Sequence, residues 1–107
     1  MAAAKLIKVY WRDIPAQVIA KRGRESARTM LSDRFQQAID RAAMRAGKGG
    51  TDAYLEEWRR ESESCGEDLQ AAADAAAAEF EARYSDADLD ALAKARGIDR
   101  ADQQGEG

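Results

Sequence analysis

Apolar and polar residues alternate from Lys5 to Arg12, so Leu6, Lys8 and Tyr10 fall on one face of an extended segment and Ile7, Val9 and Trp11 on the other. The β-branched and aromatic content predicts a strand. Ile7, Val9 and Trp11 form the more apolar face and are expected to point inward. Asp13-Ile14-Pro15 interrupts the alternation, and the proline, with fixed φ and no N–H, predicts a turn there. Gln17–Lys21 then reads as a second short strand with Val18 and Ile19 as its apolar pair, close enough to the first to form an antiparallel hairpin.

After Gly23 the period changes. Ala27, Leu31, Phe35, Ala38, Ile39, Ala42 and Ala46 recur at helical spacing, which predicts a helix capped by Ser26 and running to about Ala46. Gly47 suits a left-handed C-terminal position, and Arg45 and Lys48 suit the negative end of the helix dipole. Asp52–Glu63 admits two readings. Tyr54, Leu55 and Trp58 have helical spacing, yet as a strand Tyr54 and Trp58 share one face. A third strand is favoured because a two-stranded hairpin is marginal alone. Leu69, Ala73, Ala76, Phe80 and Tyr84 form the stripe of a further helix within an alanine-rich run. Ser85 with Asp88 forms a capping-box pattern ahead of a last helix that buries Leu89 and Leu92 and stops at Gly97. The predicted fold class is α+β: a small antiparallel sheet, made of the N-terminal β-hairpin and a third strand, packed by two or three helices. One domain is expected over residues 1–98, with a polar, disordered tail over 99–107.

Composition narrows the chemistry. The chain of 107 residues has no histidine and one cysteine, Cys65. That removes the commonest general base, every His-dependent triad and a structural zinc site of four Cys/His ligands. A lone cysteine suits a reducing compartment, and no membrane span or signal peptide is recognised, so a cytoplasmic protein is expected. Asp86-x-Asp88-x-Asp90 resembles the start of a calcium loop, but Ala91 and Gly97 stand where an EF-hand requires glycine and glutamate. No metal, cofactor or catalytic residue is assigned, and a non-catalytic protein is expected.

Charge is uneven along the chain. Residues 1–50 carry 11 Lys/Arg against 4 Asp/Glu, and residues 51–107 carry 6 against 16. Lys21, Arg22, Arg24 and Arg28 form the densest basic cluster. The segments Tyr10-Trp11-Arg12 and Tyr54 to Trp58-Arg59-Arg60 place aromatic rings beside guanidinium groups, a combination suited to a protein interface or an anionic, planar ligand. These residues are the candidate binding site. No zinc finger, RNP pattern or helix-turn-helix accompanies them, which disfavours a nucleic-acid partner.

KVYWRDIPAQVIAKRGR, RFQQAIDRAAMRAG and TDAYLEEWRR, in that order, resemble the small bacterial "virulence factor" domain family over about residues 5–84. The family name carries no mechanism. Stand-alone members are associated with folate and corrinoid one-carbon enzymes, so the resemblance implies an accessory or subunit role in tetrahydrofolate-linked methyl transfer, with such an enzyme as protein partner. It supplies no catalytic residues. Binding of a small folate-like anion is the alternative function.

Overall fold

The computed structural model of the chain describes residues 3–98. Four antiparallel strands form one sheet, in the order β3-β2-β1-β4, from β1 (Lys5–Trp11), β2 (Ile14–Arg22), β3 (Glu25–Met30) and β4 (Trp58–Ser64). Helices α1 (Asp33–Arg45) and α3 (Leu69–Arg83) pack on one face, and α4 (Asp86–Lys94) packs on α1. A short helix α2 (Thr51–Glu56) leads into β4. The α+β class therefore stands, with a fourth strand added.

The turn expected at Asp13-Ile14-Pro15 is a two-residue loop at Arg12-Asp13, and Ile14 and Pro15 already belong to β2, opposite Trp11 and Tyr10. Two further boundaries differ from expectation. The helix predicted from Ser26 begins at Asp33 with Ser32 as its N-cap, and Glu25–Met30 is a strand instead. Ala27 and Leu31 extended the apolar period of α1 backwards, but Gly23 opens a two-residue loop at φ +59, between the register partners Arg22 and Glu25. Glycine first in such a loop is the type II′ hairpin pattern, so the chain turns back along β2. The second boundary is Asp52–Glu63, which is neither all strand nor all helix. Thr51–Glu56 is helical and Trp58 starts the strand. The tail expected at 99–107 lies outside the described residues.

The face assignment of β1 also changes. Leu6 is buried in the core cluster, Tyr10 packs edge-on against Phe80 at 5.9 Å between ring centroids, and the Lys8 amine sits over the same ring. The set Leu6, Lys8, Tyr10 therefore faces the helices. Lys8 manages this by laying its aliphatic stem along apolar surface while its amine reaches Glu63 at 2.7 Å. Ile7 and Val9 face the other side. Trp11 alone of the expected inward set is in the core cluster, with no exposed surface.

The core is built from Ala16, Val18 and Ala20 of β2 against Phe35, Ala38, Ile39 and Ala42 of α1 and Ala73, Ala76, Ala77 and Phe80 of α3. The alanines let α3 lie close over β2 and β3. The α3 and α4 stripes and the Ser85–Asp88 capping box are those read from the sequence, with both reciprocal hydrogen bonds formed.

Candidate interaction surface

The expected Trp/Arg constellation does assemble, because Trp11 and Trp58 are register partners across β1 and β4. Its members are nevertheless mostly occupied with one another. The Trp11 ring stacks on Tyr54 at 5.8 Å and its indole N–H donates to the Tyr54 carbonyl at 2.9 Å. Trp58 meets Tyr54 edge-to-face at 5.7 Å. Arg12 donates from Nε to Glu57 at 2.8 Å and from a terminal nitrogen to the Arg96 carbonyl at 2.9 Å. Arg59 lies over the Tyr10 ring, donates to the Arg12 carbonyl, and pairs with Asp13 and Glu61. The Tyr10 hydroxyl, desolvated by burial and facing Glu61, has its pKa pushed up to about 12. Tyr10, Trp11, Arg12, Tyr54 and Arg59 thus form a structural clasp at one end of the sheet. Of the expected aromatic and arginine residues, Trp58, Arg60 and the clasp's own Arg59 also line a surface depression.

The basic cluster divides along the strand alternation. Lys21 and Arg28 point to the side of the sheet away from the helices, Arg22 points to the helix side and pairs with Glu25, and Arg24 is exposed in the loop between β2 and β3.

The side away from the helices was missed by sequence reasoning, although period-2 counting on the observed strands recovers it. Register aligns Ser26, Lys21, Lys5 and Ser64 in one row, then Arg28, Ile19, Ile7 and Ser62, then Met30, Gln17, Val9 and Arg60, ending at Trp58. No carboxylate occurs among these positions. Among the described residues, none of Lys5, Lys21, Arg28 and Arg60 takes part in an ion pair. The strand cations on the helix side, Lys8, Arg22 and Arg59, are all paired.

Apolar groups occupy the middle of this face. Ile7, Ile19 and Trp58 are half-buried, Met30 is 61% exposed, and Val9 is buried yet stands outside the core cluster. Two open depressions lie along β1. One, of about 550 Å³, is lined by Val9, Gln17, Trp58, Arg59 and Arg60, and the other, of about 510 Å³, by Lys5, Ile7, Lys21, Gly23 and Ser62 among others. Gln17 Oε1 is buried without a hydrogen-bond partner. Chemically, the face offers fixed positive charge around an apolar strip, which suits recognition and provides no acid–base pair or nucleophile.

Among the described residues no group of three or more His, Cys, Asp or Glu is placed to hold a metal ion, and no helix is long and apolar enough to cross a membrane. No curated protein and no solved structure matches the chain. A family model described as "Virulence factor" matches residues 9–93, from the last residues of β1 through the clasp to the penultimate residue of α4, and the chain belongs to this virulence factor family.

Proposed function

We propose that this protein is a non-catalytic docking module that binds an acidic protein surface through the sheet face opposite its helices. The observation that carries the reading is the segregation of paired and unpaired cations. Helix-side strand cations are matched by carboxylates, whereas Lys5, Lys21, Arg28 and Arg60 share a face on whose strand positions no carboxylate stands among the described residues. Four unneutralised cations around apolar side chains raise the energy of the free surface and favour a partner of opposite charge. The family resemblance supports a partner among folate- or corrinoid-dependent one-carbon enzymes, with this chain as accessory subunit.

The test is affinity capture of the tagged protein from its native host, beside the double variant Lys21→Glu/Arg60→Glu and the control Arg45→Glu on the exposed side of α1. The reading expects a stoichiometric one-carbon enzyme with the wild type and the control, and its loss with the double variant. Equal recovery with all three proteins contradicts the docking face. A stoichiometric partner of other chemistry, lost with the double variant, keeps the face and overturns the one-carbon assignment.

A further inference from the structure

Resting on the docking reading, we infer that the element recognised on this face is an extended acidic segment of the partner. It lies along β1, with one carboxylate on Arg60 and a second on Lys5 and Lys21.

Two observations converge on this arrangement. The two depressions follow the same strand, one centred on Val9 and the other on Lys5 and Ile7. Val9 and Lys5 are four residues apart, about 14 Å at the rise of a β-strand, which an extended segment spans in four residues. Each depression ends in unpaired positive charge, Arg60 beside Val9 and the Lys5–Lys21 register pair at the far end. Between them Ile7, Val9 and Ile19 supply an apolar floor.

Other occupants fit less well. Single-stranded nucleic acid requires rings on which successive bases stack, and among the described residues of this face Trp58, already packed edge-to-face on Tyr54, is the one ring with exposed surface, its register partner Trp11 being fully buried. A second copy of this chain would have to present its acidic helices to the partner's sheet. Such a head-to-tail contact is not self-complementary and leaves one sheet and one helix layer open at its ends unless its rotation closes a ring. A small planar anion would use the Trp58 depression and leave Lys5 and Lys21 unanswered.

The probe is a capped heptapeptide with glutamate at its second and sixth positions and threonine and valine between, titrated into isotope-labelled protein. Its counterpart carries glutamine at both positions. Chemical-shift changes are expected at the Gln17 side-chain amide, the Trp58 indole and the Lys5 and Lys21 amides, with the glutamine peptide binding about tenfold more weakly. Arg60→Glu and Lys21→Glu should each weaken binding about tenfold, and Arg45→Glu should leave it unchanged. No perturbation of the face at millimolar peptide, or equal binding of both peptides, overturns the inference. So does a folate or a ten-nucleotide strand that binds this face where the peptide does not. If the peptide fails while the double variant still loses its captured enzyme, the segment is wrong and the docking face stands.

Discussion

Arg12 sits at φ +53, as the first residue of the two-residue loop between Trp11 and Ile14, a position equivalent to that of Gly23 in the next hairpin. A left-handed non-glycine residue costs about 1–2 kcal/mol, and here the surroundings hold it in place. Its N–H donates to the Glu57 carbonyl, its own carbonyl accepts from Arg59, and its side chain reaches Glu57 and Arg96. Arg12→Gly relieves the backbone but releases the side-chain bonds, so denaturant unfolding should show a net loss of stability. Arg96 is the informative contrast. It too is left-handed, at φ +64, but its exposed side chain makes no hydrogen bond or ion pair among the described residues, while its carbonyl receives Arg12. Arg96→Gly should therefore stabilise the fold by about 1 kcal/mol. Gly97, next in sequence, tolerates no such freedom in the other direction. A Cβ there would lie 3.0 Å from Trp11 Cζ3, and the residue has φ +83. Gly97→Ala should cost about 1–3 kcal/mol. Trp11→Ala should cost about 3–5 kcal/mol, because it empties the centre of the clasp. Each value is checked by the shift of the urea midpoint at constant slope.

Among the elements, α1 is capped from outside its own sequence. Ser32 makes no side-chain cap of its own; instead Glu81 of α3 accepts from the Ser32 N–H at 2.6 Å and from its hydroxyl at 2.9 Å, and pairs with Arg34 at 3.1 Å. Partial burial opposes ionisation of Glu81, but the bonds from Ser32 and Arg34 outweigh it and hold the carboxyl below its ordinary range. A carboxyl depressed in the folded state contributes stability above its unfolded value of about 4.3, and that contribution is lost as pH falls through the folded value. Glu81→Gln should lower stability at neutral pH by on the order of 1 kcal/mol, allowing for solvent screening of a partly exposed pair. The gap between the wild-type and variant Tm should close on acidification below pH ~4. This cross-element cap was not legible in the sequence, since nothing local links Ser32 to Glu81. The Ser85–Asp88 box was legible because both partners lie within four residues. The same distinction explains the strands. Leu69 to Tyr84 repeats cleanly at helical spacing, whereas the apolar period of α1 runs back across β3 because Ala27, Leu31 and Phe35 fit both periods. The loop at Gly23-Arg24 was the signal that separates them. On β1 the apolarity of Ile7 and Val9 suggested burial under the helices, but a lysine stem and a tyrosine ring fill that position, so apolar count alone gave the wrong face. The clasp residues could be named from the two Trp-Arg segments. Their roles could not, since pairing with Glu57, Asp13 and the Arg96 carbonyl depends on how the chain closes.

At the scale of the whole molecule, the charge asymmetry between the two halves of the chain becomes a difference between two sides. The acidic second half supplies α3, α4 and the carboxylates that neutralise Arg34, Arg41 and Lys94, while the unpaired cations of the sheet gather on the opposite side. A complex formed through that side should weaken steeply with added salt, because the interacting charges are exposed and screened within about 10 Å at 0.1 M. Neither salt nor reversal of Lys21 and Arg60 should disturb folding, since these side chains hold no partner in the free protein. The most direct test of the docking face is a lysine-acetylation footprint of the protein alone and in complex with its captured partner. Lys5 and Lys21 should lose reactivity in the complex, whereas Lys48 at the end of α1 and Lys94 on α4 should keep theirs. Unchanged reactivity at Lys5 and Lys21, with protection at Lys94, would place the partner on the helices and contradict the account.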